Sequence, residues 1–167
     1  MKKRAAVIVS LLATATLALV PPSQAATGAA KDKTGDAPAK LDLTRVKVSH
    51  TAAKVVITTK VRKLKKRDTQ FYGYYVEGPT ARYAGTSHRK RNGKVEESWY
   101  FRPEDNLVPT ECGVRTKWNI KKSRIRTTIP RSCIADAGTL SFRTSIGPGT
   151  KNGDVSDVTE AFSVTQD

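Results

Sequence analysis

Two histidines, two cysteines and one methionine are all that this 167-residue chain offers of the side chains that most often perform catalysis or bind transition metals. His50 ends an extended run, opens a turn, and has no partner that the sequence identifies. His88 has Glu97 as its expected cross-strand neighbour, the pattern of a surface charge pair. No G-x-S-x-G nucleophile elbow occurs. Glu96 and Glu97 are adjacent on one strand and point to opposite faces, so they cannot act as a facing carboxylate pair. No catalytic residue is assigned from sequence, and the chain is not expected to be an enzyme.

Long apolar runs are missing too, except at the start. Lys2, Lys3 and Arg4 precede an apolar run from Ala5 to Val20, which Pro21 and Pro22 break before Ser23 and Ala25. This is the layout of a secretory signal peptide over residues 1–25. The run is roughly 16 residues, short of the ~20 that span a bilayer. No transmembrane anchor is expected, and a secreted, extracellular location is. The peptide contains no cysteine, so lipid attachment at the cleavage site is excluded. Residues 26–39, "ATGAAKDKTGDAPA", are small and polar and read as a flexible leader. Residues 40–167 then form a single domain, large enough for a core.

Acidic charge is scarce: 15 Asp and Glu against 30 Lys and Arg. Such a chain repels itself and calls for counter-ions or an anionic partner. Two cysteines in an exported chain favour a disulfide, Cys112–Cys133, over a metal site or a nucleophile.

Helical periodicity is the last absence. Short alternating runs rich in β-branched and aromatic residues recur instead. Leu41 and Leu43 share one parity and Val46 and Val48 the other, which suggests a bulge near Thr44–Arg45. Tyr72, Tyr74 and Val76 alternate with Phe71 and Tyr75. Leu140, Phe142, Thr144 and Ile146 share a face, and Phe162 and Val164 close the chain. About nine strands without crossover helices make an all-β fold. The expected architecture is an antiparallel β-sandwich, jelly-roll or immunoglobulin-like, with one disulfide.

Two hairpins can be placed in register. Asn92-Gly93 suits a two-residue type I′ turn. Arg91 then faces Lys94, Arg89 faces Glu96, His88 faces Glu97, Thr86 faces Trp99 and Ala84 faces Phe101. In "ECGVRTKWNIKKSRIRTTIPRSC", a loop over Lys121–Arg124 puts Ile120 opposite Ile125, Trp118 opposite Thr127 and Thr116 opposite Ile129. The same register sets Cys112 opposite Cys133. Pro130 cannot donate to a ladder, so this strand should be at an edge or a bulge there.

Between the cysteines lie seven basic residues and no acid. Arg115, Lys117, Arg124 and Arg126 fall on one face of the hairpin. A second basic cluster, Lys60, Arg62, Lys63, Lys65, Lys66 and Arg67, lies in "KVRKLKKR" at the end of the strand "KVVITTKV". Tyr72, Tyr74, Tyr75 and Tyr100 could stack on bases or sugars. Together these point to a polyanion-binding surface. An exported chain makes intracellular nucleic acid an unsuitable partner. Anionic polysaccharides, wall polymers or membrane surfaces fit better.

Asp32, Asp36, Asp42, Asp154 and Asp157 gather near the two ends of the domain, and termini often lie close together. A calcium site could be built from such oxygens. No loop spacing supports one, however, and turn-forming aspartates account for the same residues. No metal or cofactor is therefore assigned.

The stretch "GDAPAKLDLTRVKVSHTAAKVVITTKVRKL", with "IPRSC" before the second cysteine, resembles small secreted β-sandwich proteins of actinobacteria. That group is broadly similar to DOMON-type and carbohydrate-binding sandwiches. The resemblance implies the fold and carries over no functional residue. Haem-binding DOMON proteins ligate iron with Met and His, and here the single methionine is Met1. The expected function is a secreted non-catalytic binding module for an anionic extracellular polymer or surface. The alternatives are a neutral carbohydrate-binding module, and an enzyme inhibitor or an enzyme without a recognisable motif.

Overall fold

A computed structural model describes residues 25–102, 108–135, 138–149 and 156–166. The expected signal peptide, apart from Ala25, lies outside the described residues. In chain order the strands are β1 (Ala26–Lys31), β2 (Leu43–His50), β3 (Lys54–Val61), β4 (Gln70–Glu77), β5 (Arg82–Arg89), β6 (Val95–Arg102), β7 (Val108–Pro109), β8 (Arg115–Asn119), β9 (Arg124–Pro130), β10 (Thr139–Pro148), β11 (Asp157–Val158) and β12 (Phe162–Thr165). These are twelve among the described residues rather than about nine, and two of the additions are two-residue strands. The protein is an all-β antiparallel sandwich of two sheets. Sheet A runs β1-β2-β3-β9-β8, and sheet B runs β11-β10-β4-β5-β6-β7, with β12 also on β10.

The alternation read from sequence is the alternation of burial. Tyr72, Tyr74 and Val76 are buried from β4, and Leu140, Phe142, Thr144 and Ile146 from β10. Leu43, Val46 and Val48 all reach the core because the ladder shifts register between Leu43 and Arg45, where the bulge was expected. Two aromatic rings stack on Trp99: Tyr74 at 5.9 Å between centroids and Tyr83 at 5.6 Å. Polar bonds cross between the sheets. The Thr59 and Tyr72 hydroxyls lie 2.7 Å apart, and Trp118 Nε1 donates to Ser87 Oγ at 2.9 Å. Burial pushes the Tyr72 phenol well above its ordinary pKa, so it stays a neutral hydroxyl.

Residues 26–31 are not a flexible leader. β1 pairs with β2 along its whole length, from Ala26 opposite His50 to Lys31 opposite Arg45. The small side chains that suggested flexibility are what let this strand dock. A Cβ at Gly28 would overlap Val164 Cγ2 on β12, so only glycine permits this approach.

Both hairpin registers differ from expectation. In β5–β6, His88 faces Glu96, Ser87 faces Glu97 and Gly85 faces Trp99. The turn is a three-residue loop closed by Lys90 and Lys94, with Gly93 alone at positive φ (90°). Gly93 N–H donates to Lys90 O, and Lys94 N–H to Asn92 Oδ1. Asn92 keeps an ordinary φ, so the turn is type I with a glycine bulge rather than type I′. The one-residue slip separates His88 from Glu97, whose carboxylate instead accepts the Thr116 N–H from sheet A.

In β8–β9, Trp118 faces Ile125 and Thr116 faces Thr127, two residues from the expected pairing. The loop is Ile120–Ser123, with Ser123 at φ 45°. Tertiary bonds hold Ser123 there: its carbonyl accepts Val61 N–H at 3.0 Å and its hydroxyl accepts Leu64 N–H at 3.2 Å. A slip of two preserves face parity, so the division into apolar and basic sides is unchanged. The Cys112–Cys133 disulfide forms, with Cα atoms 5.5 Å apart, but beyond the ladder rather than within it. Pro130 sits past the last β8–β9 pair, Arg115 opposite Thr128, where no N–H is needed on that side.

Candidate functional site

The outward side of sheet A is a basic surface. Arg115, Lys117, Arg124 and Arg126 all lie on it and are exposed, as the hairpin parity required. The sheet extends it. Reading across the ladders, Lys31 faces Arg45, Arg45 faces Lys60, and Lys60 faces Arg124. This is a row of four cations on four adjacent strands, spanning roughly 14 Å at the usual strand spacing. The next row runs Ala29, Lys47, Thr58, Arg126, Lys117, and the one after it ends at Arg115. No strand of sheet A contains an aspartate or glutamate. Among the described residues, no ion pair uses any of these eight cations. Lys60 Nζ has one bond, to the Lys122 carbonyl at 3.2 Å.

Like charges directly opposite on a ladder are destabilising, by about 0.2–1 kcal/mol per pair. Edge protection by lysine would account for β1 and β8. It does not account for Arg45, Lys47, Lys60, Arg124 and Arg126 on the three interior strands. Sequence reasoning missed Lys31, Arg45 and Lys47, and took Lys60 only as part of the second basic cluster. Part of the signal was there for Arg45, Lys47 and Lys60, whose parity is opposite to that of the buried valines beside them. The pairing of β3 with β9, separated by more than 60 residues, was not.

The second basic cluster is placed differently. Lys63, Lys65, Lys66 and Arg67 are exposed on the β3–β4 connection around buried Leu64. Lys66 lines a shallow groove with Lys117, Trp118 and Lys121 at the β8 edge. Nothing aligns Lys63, Lys65 and Arg67 with the sheet A face. Arg89 on β5 is a buried brace for this connection. Its guanidinium donates to the carbonyls of Lys65, Lys66 and Asp68. The tyrosines are mostly core: Tyr72 and Tyr74 are fully buried, and Tyr75 on sheet B is the large aromatic left well exposed. A neutral carbohydrate module of the expected kind would show a row of exposed aromatics on one sheet face, and the described residues show no such row.

A groove beside the disulfide holds Glu97, Glu111, Tyr74 and Trp99. No histidine lines it, and Glu97 is already engaged by Thr116 N–H.

Opposite charge collects elsewhere. Carboxylate oxygens of Asp36, Asp42 and Asp157 lie within 4.8 Å of one another. Burial, and after it the charge of Asp157, pushes the Asp32 pKa up to about 6. Asp157 is also pushed up, first by burial. Asp42 Oδ2 accepts Gly35 N–H at 2.9 Å and lies 3.5 Å from Arg62 Nη1, while Asp157 Oδ2 accepts Leu43 N–H at 2.6 Å. Asp154 lies outside the described residues.

His50 is wholly buried, and neither ring nitrogen has a hydrogen-bond partner. Burial, helped by nearby Arg131, holds its pKa below the ordinary value. The unfolded chain takes up this proton near pH 6.5 and the folded chain does not. Stability should therefore fall as pH drops below about 6.5. Asp32, with its raised pKa, acts in the opposite sense over the range from about pH 6 down to 4. Urea unfolding at pH 7.5 and 5.5 should show a smaller acid loss in His50→Leu than in the wild type. Equal losses would place the effect elsewhere.

Among the described residues, no helix is long and apolar enough to cross a membrane. No protein-family model, curated protein or solved structure matches this chain. What fold and surface define is a disulfide-stapled β-sandwich with one sheet face devoted to positive charge.

Proposed function

We propose that the protein is a secreted, non-catalytic binding module that engages a linear anionic polymer through the outer face of sheet A. The observation that carries this is the row Lys31, Arg45, Lys60, Arg124, repeated beside it by Arg126 and Lys117, across interior as well as edge strands. The arrangement opposes folding by self-repulsion and is relieved when anions occupy it. A regular sheet holds the cations in place beforehand, so little ordering entropy is lost on binding. A wall polymer or acidic polysaccharide, with charges repeated along a chain, fits such rows.

Binding of this kind is electrostatic. By analogy with counter-ion release from nucleic acids, four contacts imply an affinity loss of about 100-fold for a fourfold rise in salt. The test is affinity for a teichoic acid and for a heparin-like polymer at low and moderate salt. Replacing Arg115, Lys117, Arg124 and Arg126 by Glu should abolish binding while circular dichroism stays unchanged, because exposed strand positions carry little stability. Arg45→Glu with Lys60→Glu should weaken it as well. Wild-type affinity in the fourfold variant, or affinity indifferent to salt, would refute the proposal.

A further inference from the structure

We propose that Asp36, Asp42 and Asp157 form a calcium site that fastens the β1–β2 connection to both sheets. Asp36 comes from that connection, Asp42 from the residue before β2, and Asp157 from the first position of β11 in sheet B. Positions at opposite ends of the domain thus bring their carboxylates to one place. Among the described residues, their one ion pair is with half-exposed Arg62, whose Nη1 lies 3.5 Å from Asp42 Oδ2.

A cluster of acids alone would not make a site. The independent observation is Asp42. Its side chain has 0% exposure, yet Oδ1 has no hydrogen-bond partner. A bare carboxylate oxygen in the interior loses its hydration with nothing in return, which costs several kcal/mol unless a cation or a donor replaces the water. Asp32 Oδ2 is also buried and receives no hydrogen bond.

The donors are all oxygens, with no imidazole or thiolate among them, which selects a hard cation over zinc or copper. Several carboxylates in an irregular cage suit calcium, with its six to eight oxygen ligands at about 2.3–2.6 Å. Magnesium demands a tight octahedron and retains water. Asp36 is exposed and gives the ion a route from solvent. The site also bears on the basic face, because Asp36 lies on the connection that leaves β1 at Lys31, the first cation of the row. Calcium would hold β1 against β2 and keep that row complete.

The test uses the full chain, dialysed against a chelator and titrated with calcium chloride in a calorimeter. Thermal unfolding and amide exchange follow, each with and without calcium. The expected results are saturable binding, a rise in melting temperature on the order of 5 °C, and slower exchange of the β1 amides. Magnesium at equal concentration should give a much smaller shift. Asp42→Asn should lose the calcium response, and so should Asp36→Asn, whose exposed position removes a ligand without disturbing the core. Absence of calcium binding at millimolar concentration, or an unchanged response in both variants, would overturn the proposal.

Discussion

Gly85→Val should unfold the protein or come close to it. Gly85 sits in β5 directly opposite Tyr74 on β4. The Tyr74 ring lies flat across it, and a Cβ at position 85 would overlap the ring atoms Cε2, Cζ and Oη. Glycine is needed here for space, since its φ is not in the left-handed region. The ring cannot swing away. It is fully buried, stacked on Trp99 and 5.7 Å from Tyr72. Overpacking a tight core by a methylene or two costs typically ~1–3 kcal/mol. Three added carbons against a buried aromatic stack should exceed that, in a domain whose whole stability is of order 5–15 kcal/mol. Gly85→Ala should fall between wild type and Val. Shortening the ring in the same chain, Tyr74→Leu with Gly85→Val, should recover part of the loss, because the two residues compete for one volume. Urea unfolding followed by tryptophan fluorescence measures all four. A Gly85→Val protein within about 0.5 kcal/mol of wild type would show that the ring has room to move.

Removing the disulfide should have the next largest effect. Replacing Cys112 and Cys133 by Ala releases a loop of sequence separation 21, worth about 3 kcal/mol in the chain-entropy model. The loss should also be uneven. β8 is an edge strand of five residues, and the last of its pairs is Arg115 opposite Thr128. The bridge lies just beyond that pair and stops the strand from fraying. Without it, Arg115 and Lys117 should lose their fixed positions before the centre of the sheet melts. Polyanion affinity should then fall at temperatures where the far-ultraviolet signal is still native. Simultaneous loss of binding and of global structure would show that β8 stays docked without the bridge.

These two sites differ in how far they can be read along the chain. The cysteine pair is legible because only two cysteines exist. The glycine is not: "QFYGYYVEG" and "RYAGTSHR" give no sign that Tyr74 must lie over Gly85. The basic face was legible in part. Arg115, Lys117, Arg124 and Arg126 follow from parity, which survives a two-residue slip of register. Lys31, Arg45, Lys47 and Lys60 join them only through pairings between strands, and β1 was read as a leader because its residues are small. The turn chemistry also misled. Asn92-Gly93 is a type I′ signal, yet a glycine-bulged type I turn uses the same glycine and moves the register by one.

Sequence alone sorted the side chains of most strands into two faces; β5 is the exception, where the one-residue slip exchanged its faces relative to β6. Strand side chains alternate with a period of two, so a run of valines and lysines sorts itself before any partner is known. It also determined the disulfide, the all-β class and the excess of positive charge. Tertiary structure decided everything that depends on which distant strands meet. The interior cation row exists because β3 pairs with β9, and the carboxylate cluster because the β1–β2 connection meets β11. Such contacts follow from how two whole faces pack together and from loops anchored elsewhere, as Ser123 is by Val61 and Leu64. No local pattern encodes them, because the energy that selects them is shared over the entire core.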